Sequence, residues 1–112
     1  MLAGSVIYRQ RIALPPDALV RVTLEDVSRG DAPAAPLAEI TVETAGRQVP
    51  VAFEVAYDPA AIDAHRRYAL RARIESGGRL LFANTRAYPV LTGADPAILQ
   101  VVVDPARDEG AR

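Results

Sequence analysis

The chain has 112 residues, the length of one ordinary domain. It has no cysteine, which excludes disulfides, thiolate nucleophiles and cysteine-ligated zinc or iron–sulfur sites. The formal net charge is −1, so long-range attraction to nucleic acid or to an acidic membrane is not expected. No apolar run is long enough to span a bilayer, and residues 1–5 show no signal-peptide pattern.

A two-residue alternation of apolar and polar side chains runs through most of the chain and predicts β-strands. The predicted strands, in chain order, cover residues 6–12, 19–27, 37–44, 49–57, 68–75, 79–85 and 97–104. Pro15-Pro16 and Asp58-Pro59 separate neighbouring strands, and Gly77-Gly78 predicts a hairpin turn. Residues 60–67 have room for one helical turn and no more.

No segment has a helical period over a length that would cover a sheet. Two sheets must therefore cover each other, or one sheet must close on itself. We expect an all-β domain over residues 4–104, a seven- to eight-stranded antiparallel β-sandwich of Greek-key, immunoglobulin- or transthyretin-like type, followed by a flexible tail over 105–112. A small β-barrel is the alternative. Tyr68, just after a loop that carries Asp63, resembles a tyrosine corner, in which the phenol bonds to backbone in the preceding connection.

The residues offer little for catalysis. His65 is the only histidine, and it stands beside two arginines in a connection that we expect to be exposed. We therefore predict no catalytic residue, no metal site and no cofactor, and a protein that is not an enzyme. Asp26 continues the inward phase of the second strand, so we expect it to bind backbone amides of the loop 28–36, unless the strand ends before it. The tripeptide 29–31, Arg-Gly-Asp, is interpreted as a chance match in a turn.

Arginines give the strongest interaction signal. If the first, second and fifth strands share a sheet, five of them lie on its outer face: Arg9, Arg11, Arg21, Arg71 and Arg73. Glu25 and Glu75 lie on the same face and partly neutralise it. This face is either a solvated surface that blocks edge aggregation or the binding site of an acidic partner or lipid headgroup. A second surface, formed by outward Ile98 and Val102 with Leu81, is either covered by the tail or a groove for a peptide.

Several segments resemble one known family in the order in which they occur. They are residues 12–18 (IALPPDA), 22–28 (VTLEDVS), 32–34 (APA), 49–54 (VPVAFE), 57–59 (YDP), 68–74 (YALRARI) and 88–92 (YPVLT). Over roughly residues 4–104 the chain is similar to the YbaY family of bacterial lipoproteins, which includes the YscW-type pilotins, the lipoprotein chaperones of type III secretion.

The resemblance implies a β-sandwich that a lipidated N-terminal cysteine anchors to the bacterial envelope. It also implies a non-enzymatic role, which in the pilotin branch is to bind a secretin subunit and help it reach the outer membrane. The expected partner is thus another envelope protein, with no nucleic acid and with membrane contact only through the lipid anchor. This sequence contains neither a signal peptide nor a lipobox cysteine, so a cytoplasmic location is the alternative. A structural accessory domain without a dedicated ligand is the alternative function.

Overall fold

A computed structural model describes residues 2–28, 34–86, 88–91 and 99–106, and these residues form nine strands and one short 3₁₀ turn. The strands are β1 (Leu2–Ile7), β2 (Leu19–Asp26), β3 (Ala35–Glu43), β4 (Val51–Val55), β5 (Tyr68–Ser76), β6 (Arg79–Ala83), β7 (Tyr88–Val90), β8 (Leu99–Val102) and β9 (Asp104–Pro105). The 3₁₀ turn spans Pro59–Ala61, inside the segment predicted to hold one helical turn. No helix in the described part of the chain is both long and apolar enough to cross a membrane.

The strands form two sheets. The small sheet has the order β4-β1-β8, and the large sheet has the order β3-β2-β5-β6-β9, with β7 also pairing with β5. Every pairing is antiparallel except that of β1 with β8. Over the residues described, the sheets stay separate and do not close on each other, so the fold is the predicted two-sheet sandwich and not the alternative barrel.

One core lies between the sheets. The large sheet buries alternate residues of β2 and β5, and Val22, Leu70 and Ile74 are at most 2% exposed. The small sheet meets them with Phe53 and other inward residues of β4, β1 and β8. The buried positions of β2, β4 and β5 therefore follow the two-residue alternation of apolar side chains in the sequence.

The first strand differs from the prediction. The alternation predicts a strand over residues 6–12, but β1 ends at Ile7, and Ile12 is 56% exposed. Tyr8 remains buried, its ring stacks on Phe82 with centroids 4.4 Å apart, and its hydroxyl donates to the Ile12 carbonyl at 2.5 Å. The chain therefore turns at Tyr8, since this hydrogen bond closes a short loop that leads out of the sheet.

The C-terminal part contains two short strands that the sequence did not predict, β7 and β9. β7 continues the edge of β5 beyond β6, and β9 pairs with β6 through Phe82 and Ala83. The hydroxyl of Tyr88 in β7 accepts a hydrogen bond from the Val102 amide in β8 at 2.8 Å, which links the large sheet to the small one. The Gly77-Gly78 hairpin is confirmed, with both glycines at positive φ as a two-residue hairpin requires.

Candidate partner-binding surface

The predicted arginine face is divided between two regions of the molecule. Arg21 of β2 and Arg71 and Arg73 of β5 lie on the outer face of the large sheet, where Arg21 stands directly opposite Arg73. Arg9 and Arg11 follow β1, which belongs to the small sheet. The condition that the first, second and fifth strands share one sheet is therefore not met, and the structure brings together three of the five predicted residues.

Glutamates compensate the three arginines that remain together. The carboxylate of Glu75 lies 3.3 Å from an Arg21 nitrogen and 3.9 Å from an Arg73 nitrogen, so it bridges the two like charges across the strands. Glu39 of β3 lies 4.0 Å from Arg21 and also accepts a hydrogen bond from the Thr23 hydroxyl at 2.8 Å. The outer face therefore carries a network of positive and negative side chains and is not a basic patch.

Arg71 has the most exposed side chain of the three arginines. Its side chain is 56% exposed and lies 3.9 Å from Glu25, whose own side chain is only 13% exposed. A loose ion pair at this exposure contributes little to folding, so an incoming group can replace it at low cost. Arg71 is thus the member of the face that is best placed to contact a partner.

Asp26 organises the end of the molecule where β2 stops. One of its carboxylate oxygens accepts from the Ser28 amide at 2.9 Å, which confirms the predicted role of holding the loop backbone. The other accepts from the Arg66 guanidinium at 2.9 Å. The hydrogen bonds from Ser28 and then the nearby Arg66 lower the pKa of Asp26, while the contact with Asp26 raises the pKa of Arg66.

Tyr68 holds the adjoining connection, as predicted. Its hydroxyl accepts a hydrogen bond from the Asp63 amide at 2.8 Å, and the residue is 3% exposed. The hydroxyl of Ser28 also accepts a hydrogen bond from the Arg67 amide at 2.7 Å, which links the segment after β2 to the segment before β5. These contacts make the connection 63–67 a fixed part of the surface.

A cavity of about 500 Å³ lies beside this connection. Its lining is mostly apolar and includes Pro89, Val90 and Leu91, while Arg66 and Arg67 contribute charged side chains. Because the lining comes from three segments that are distant in sequence, no local pattern predicted it. Its volume suits a small ligand or an apolar side chain of a partner.

The predicted absence of a metal site concerns His65 and the carboxylates around it. His65 is exposed, as predicted, and its amide donates to the Asp63 side chain at 2.8 Å. Within the described ranges, no group of three or more His, Cys, Asp or Glu side chains is placed to hold a metal ion.

The second predicted surface is partly covered. Leu81 packs against the core, and its carbonyl accepts from the Ala106 amide at 2.8 Å, so the start of the tail lies along β6. Val102 is half-buried beside Tyr88. Ile98 and the Arg-Gly-Asp tripeptide 29–31 lie outside the described residues.

Comparison with known proteins identifies the fold and the family. The sequence model for the type III secretion system lipoprotein chaperone YscW matches residues 1–103. The chain therefore belongs to the YscW family. This confirms the resemblance that the motifs indicated.

Two known proteins are similar to this chain over most of its length. It is 39% identical over 102 residues to the uncharacterized lipoprotein YbaY of Escherichia coli strain K12, a match that covers 90% of this chain. The chain spans only about half of that relative, 54% of its length. An alternative pilotin from the type II secretion system of Vibrio cholerae has the same fold, with a TM-score of 0.82 and 43% identity over 94% of this chain and 96% of the pilotin chain. The two relatives are thus a lipoprotein and a pilotin.

Proposed function

We propose that this YscW-family domain is a non-catalytic chaperone of the bacterial cell envelope that holds a secretin subunit, as a pilotin does. The observation that carries the proposal is the match to a pilotin over nearly the full length of both chains, at 43% identity and a TM-score of 0.82. A location in the cell envelope is part of the proposal, supported by the lipoprotein relative and by the lipoprotein-chaperone family.

The outer face of the large sheet is the proposed contact surface. Of the five arginines predicted from the sequence, it contains three, Arg21, Arg71 and Arg73. Support comes from their shared face and from the exposed, loosely paired side chain of Arg71. A partner that binds here supplies carboxylates that replace Glu25 and Glu75 as acceptors. Arg9 and Arg11 are not part of the proposed surface, because they follow β1, which belongs to the small sheet.

Capture of a purified secretin subunit from the source organism's own secretion system tests the proposal. The immobilised domain should retain the secretin at one-to-one stoichiometry. No retention, with the domain shown to be folded by circular dichroism, would contradict the chaperone function and favour an accessory domain without a dedicated ligand.

Charge reversal tests the contact surface. The double variant Arg71→Glu, Arg73→Glu should weaken secretin capture by roughly tenfold or more, since rim charges become repulsive. The matched control is Arg9→Glu with Arg11→Glu, which changes the net charge equally on the exposed loop after β1. If both double variants lost secretin binding equally, the effect would be one of general charge. If neither lost it, the arginine face would not be the contact surface, although the domain would still bind the secretin.

A further inference from the structure

A small polar hollow lies where the loop after β1 meets β7, β8 and β9. Its volume is about 140 Å³. The described residues that line it are Arg9, Thr85, Arg86, Tyr88, Val102 and Asp104. Five of these six residues carry polar side chains, in contrast to the mostly apolar cavity beside the connection 63–67. Pockets for drug-sized ligands have volumes of about 300–1,000 Å³, so this hollow has room only for a small polar group.

Contacts on both sides of the hollow hold its lining in place. The Tyr8 ring stacks on Phe82 of β6, which places the next residue, Arg9, beside the large sheet. On the other side, the side-chain amide of Asn84 donates to the Arg86 carbonyl at 2.8 Å. The side-chain oxygen of Asn84 accepts from an amide of β5, also at 2.8 Å. The hollow is therefore part of the folded structure and not a gap between unattached loops.

The lining offers three hydrogen-bond donors to a ligand. Arg9 and Arg86 are exposed, and neither has an ion-pair partner among the residues described. The Tyr88 hydroxyl accepts from the Val102 amide at 2.8 Å, whereas the Val102 carbonyl that its own proton can reach lies 3.4 Å away. That distance is beyond the usual range for a hydroxyl donor. An acceptor in the hollow would therefore gain the tyrosine proton as well as two guanidinium groups.

Asp104 is the one carboxylate among the described residues of the lining. One of its oxygens accepts from the Thr85 hydroxyl at 2.9 Å, and the other has no hydrogen-bond partner among the residues described. Although Asp104 shares the hollow with Arg9 and Arg86, it forms no ion pair with either. A fully deprotonated anion would be repelled by this charge, whereas an anion that keeps a proton can donate it to the free oxygen.

From these groups we infer that the hollow binds free phosphate in a form that keeps a proton. The phosphate oxygens accept from the two arginines and from Tyr88, and the phosphate hydroxyl donates to Asp104. Sulfate has the same tetrahedral shape but no proton at neutral pH, so it leaves Asp104 unpaired beside a second anion. The inference goes beyond the proposed function, and the hollow shares no residue with the proposed contact surface.

Titration of the full chain with inorganic phosphate, followed in a nitrogen–proton correlation spectrum, tests the inference. Phosphate should shift the backbone amide signals of Arg9, Arg86 and Tyr88, and the shifts should saturate. Sulfate at the same ionic strength should bind more weakly by roughly fivefold or more, because it leaves the Asp104 carboxylate without a donor. Equal binding of the two anions, or no shift at these residues, would overturn the inference. The titration contains no secretin, so its failure leaves the chaperone function untouched.

Glycerol 3-phosphate distinguishes free phosphate from the phosphate ester of a lipid headgroup. A phosphate monoester has a second pKa of about 6, so at about pH 7 only roughly a tenth of it keeps a proton on the phosphate. It should therefore bind more weakly than inorganic phosphate at that pH. If it bound as tightly or more tightly, the hollow would be a site for phosphate esters, and the assignment of free phosphate would be wrong.

Two arginines of one loop form a matched pair of variants. Arg9→Gln should weaken phosphate binding by roughly fivefold, as expected for the loss of one exposed charge contact. Arg11→Gln removes the same charge from the same loop, but from an exposed residue outside the lining, and should change the affinity by less than about twofold. Equal effects of the two variants would show general attraction of anions and refute the site.

Asp104→Asn tests the contact with the phosphate proton. The variant keeps an acceptor for the Thr85 hydroxyl but removes the carboxylate, so it should bind sulfate as tightly as phosphate. Glu54→Gln is the control, because it changes the net charge equally at an exposed residue outside the lining and should keep the preference for phosphate. An Asp104→Asn protein that still preferred phosphate over sulfate would contradict the proposed contact.

Discussion

At the scale of single residues, the carboxylate of Asp26 links the end of β2 to the loop that follows it and to the connection that precedes β5. Asp26 binds the Ser28 amide with one oxygen and the Arg66 guanidinium with the other. Asp26 was predicted from its inward phase, since a carboxylate in that position needs donors. Arg66 was not predicted, because it lies 40 residues away and no periodic pattern connects the two.

Asp26→Asn should lower the melting temperature at neutral pH and have little effect in acid. The folded protein lowers the pKa of Asp26 from its ordinary 3.8, so the carboxylate stabilises the fold above that pH. This contribution is lost as the pH falls below 3.8 through the lowered pKa, where the wild-type carboxyl is itself protonated. Thermal unfolding of both proteins across this range measures the difference.

Glu54→Gln is the control for that experiment, since Glu54 is exposed and has no ion pair among the described residues. It should follow the wild type at every pH. If Asp26→Asn stayed equally destabilised well below pH 3.8, the loss would come from packing of the amide and not from the charge.

At the scale of elements, the central strand of the small sheet depends on a glycine. Gly4 of β1 lies opposite Phe53 of β4 and Leu99 of β8. A Cβ atom at this position would stand 2.3 Å from the Leu99 carbonyl oxygen and 3.0 Å from the Phe53 ring. The strand therefore uses glycine because two neighbours approach its backbone closely.

Gly4→Ala should destabilise the domain by about 1–3 kcal/mol, because backbone must move to admit the methyl group. Urea unfolding followed by circular dichroism measures this loss. Ala3→Ser, on the exposed outer face of the same strand, should stay within about 0.5 kcal/mol of the wild type. A Gly4→Ala protein as stable as the wild type would show that β8 can shift away without cost.

Elements with a long alternation were predictable, and those held by distant contacts were not. β2 and β5 are long and alternate cleanly, so their faces could be assigned from the sequence. β7 and β9 have three and two residues, too few for a period, and exist because β5 and β6 offer edges to them. The sheet that contains β1 could not be predicted either. Because β1 belongs to the small sheet, Arg9 and Arg11 lie apart from the arginines of β2 and β5.

At the scale of the whole molecule, both sheets depend on one core. Leu70 in the large sheet and Val55 in the small sheet belong to the same buried cluster, and neither sheet has a second apolar layer among the described residues. Two sheets that share their only hydrophobic face cannot be stable separately. The link between Tyr88 and Val102, and the passage of the chain from β8 to β9, join the sheets further.

The sandwich should therefore unfold as one cooperative unit. Leu70→Ala should cost about 2–5 kcal/mol, a typical loss for a buried leucine. Native-state hydrogen exchange should show this loss in the slowest amides of β1 and β4 as fully as in those of β2 and β5. Val55→Ala is the reciprocal variant, and it should lower protection in the large sheet as much as in its own. If each substitution weakened only the sheet that carries it, the two sheets would be independent folding units and the shared core would not couple them.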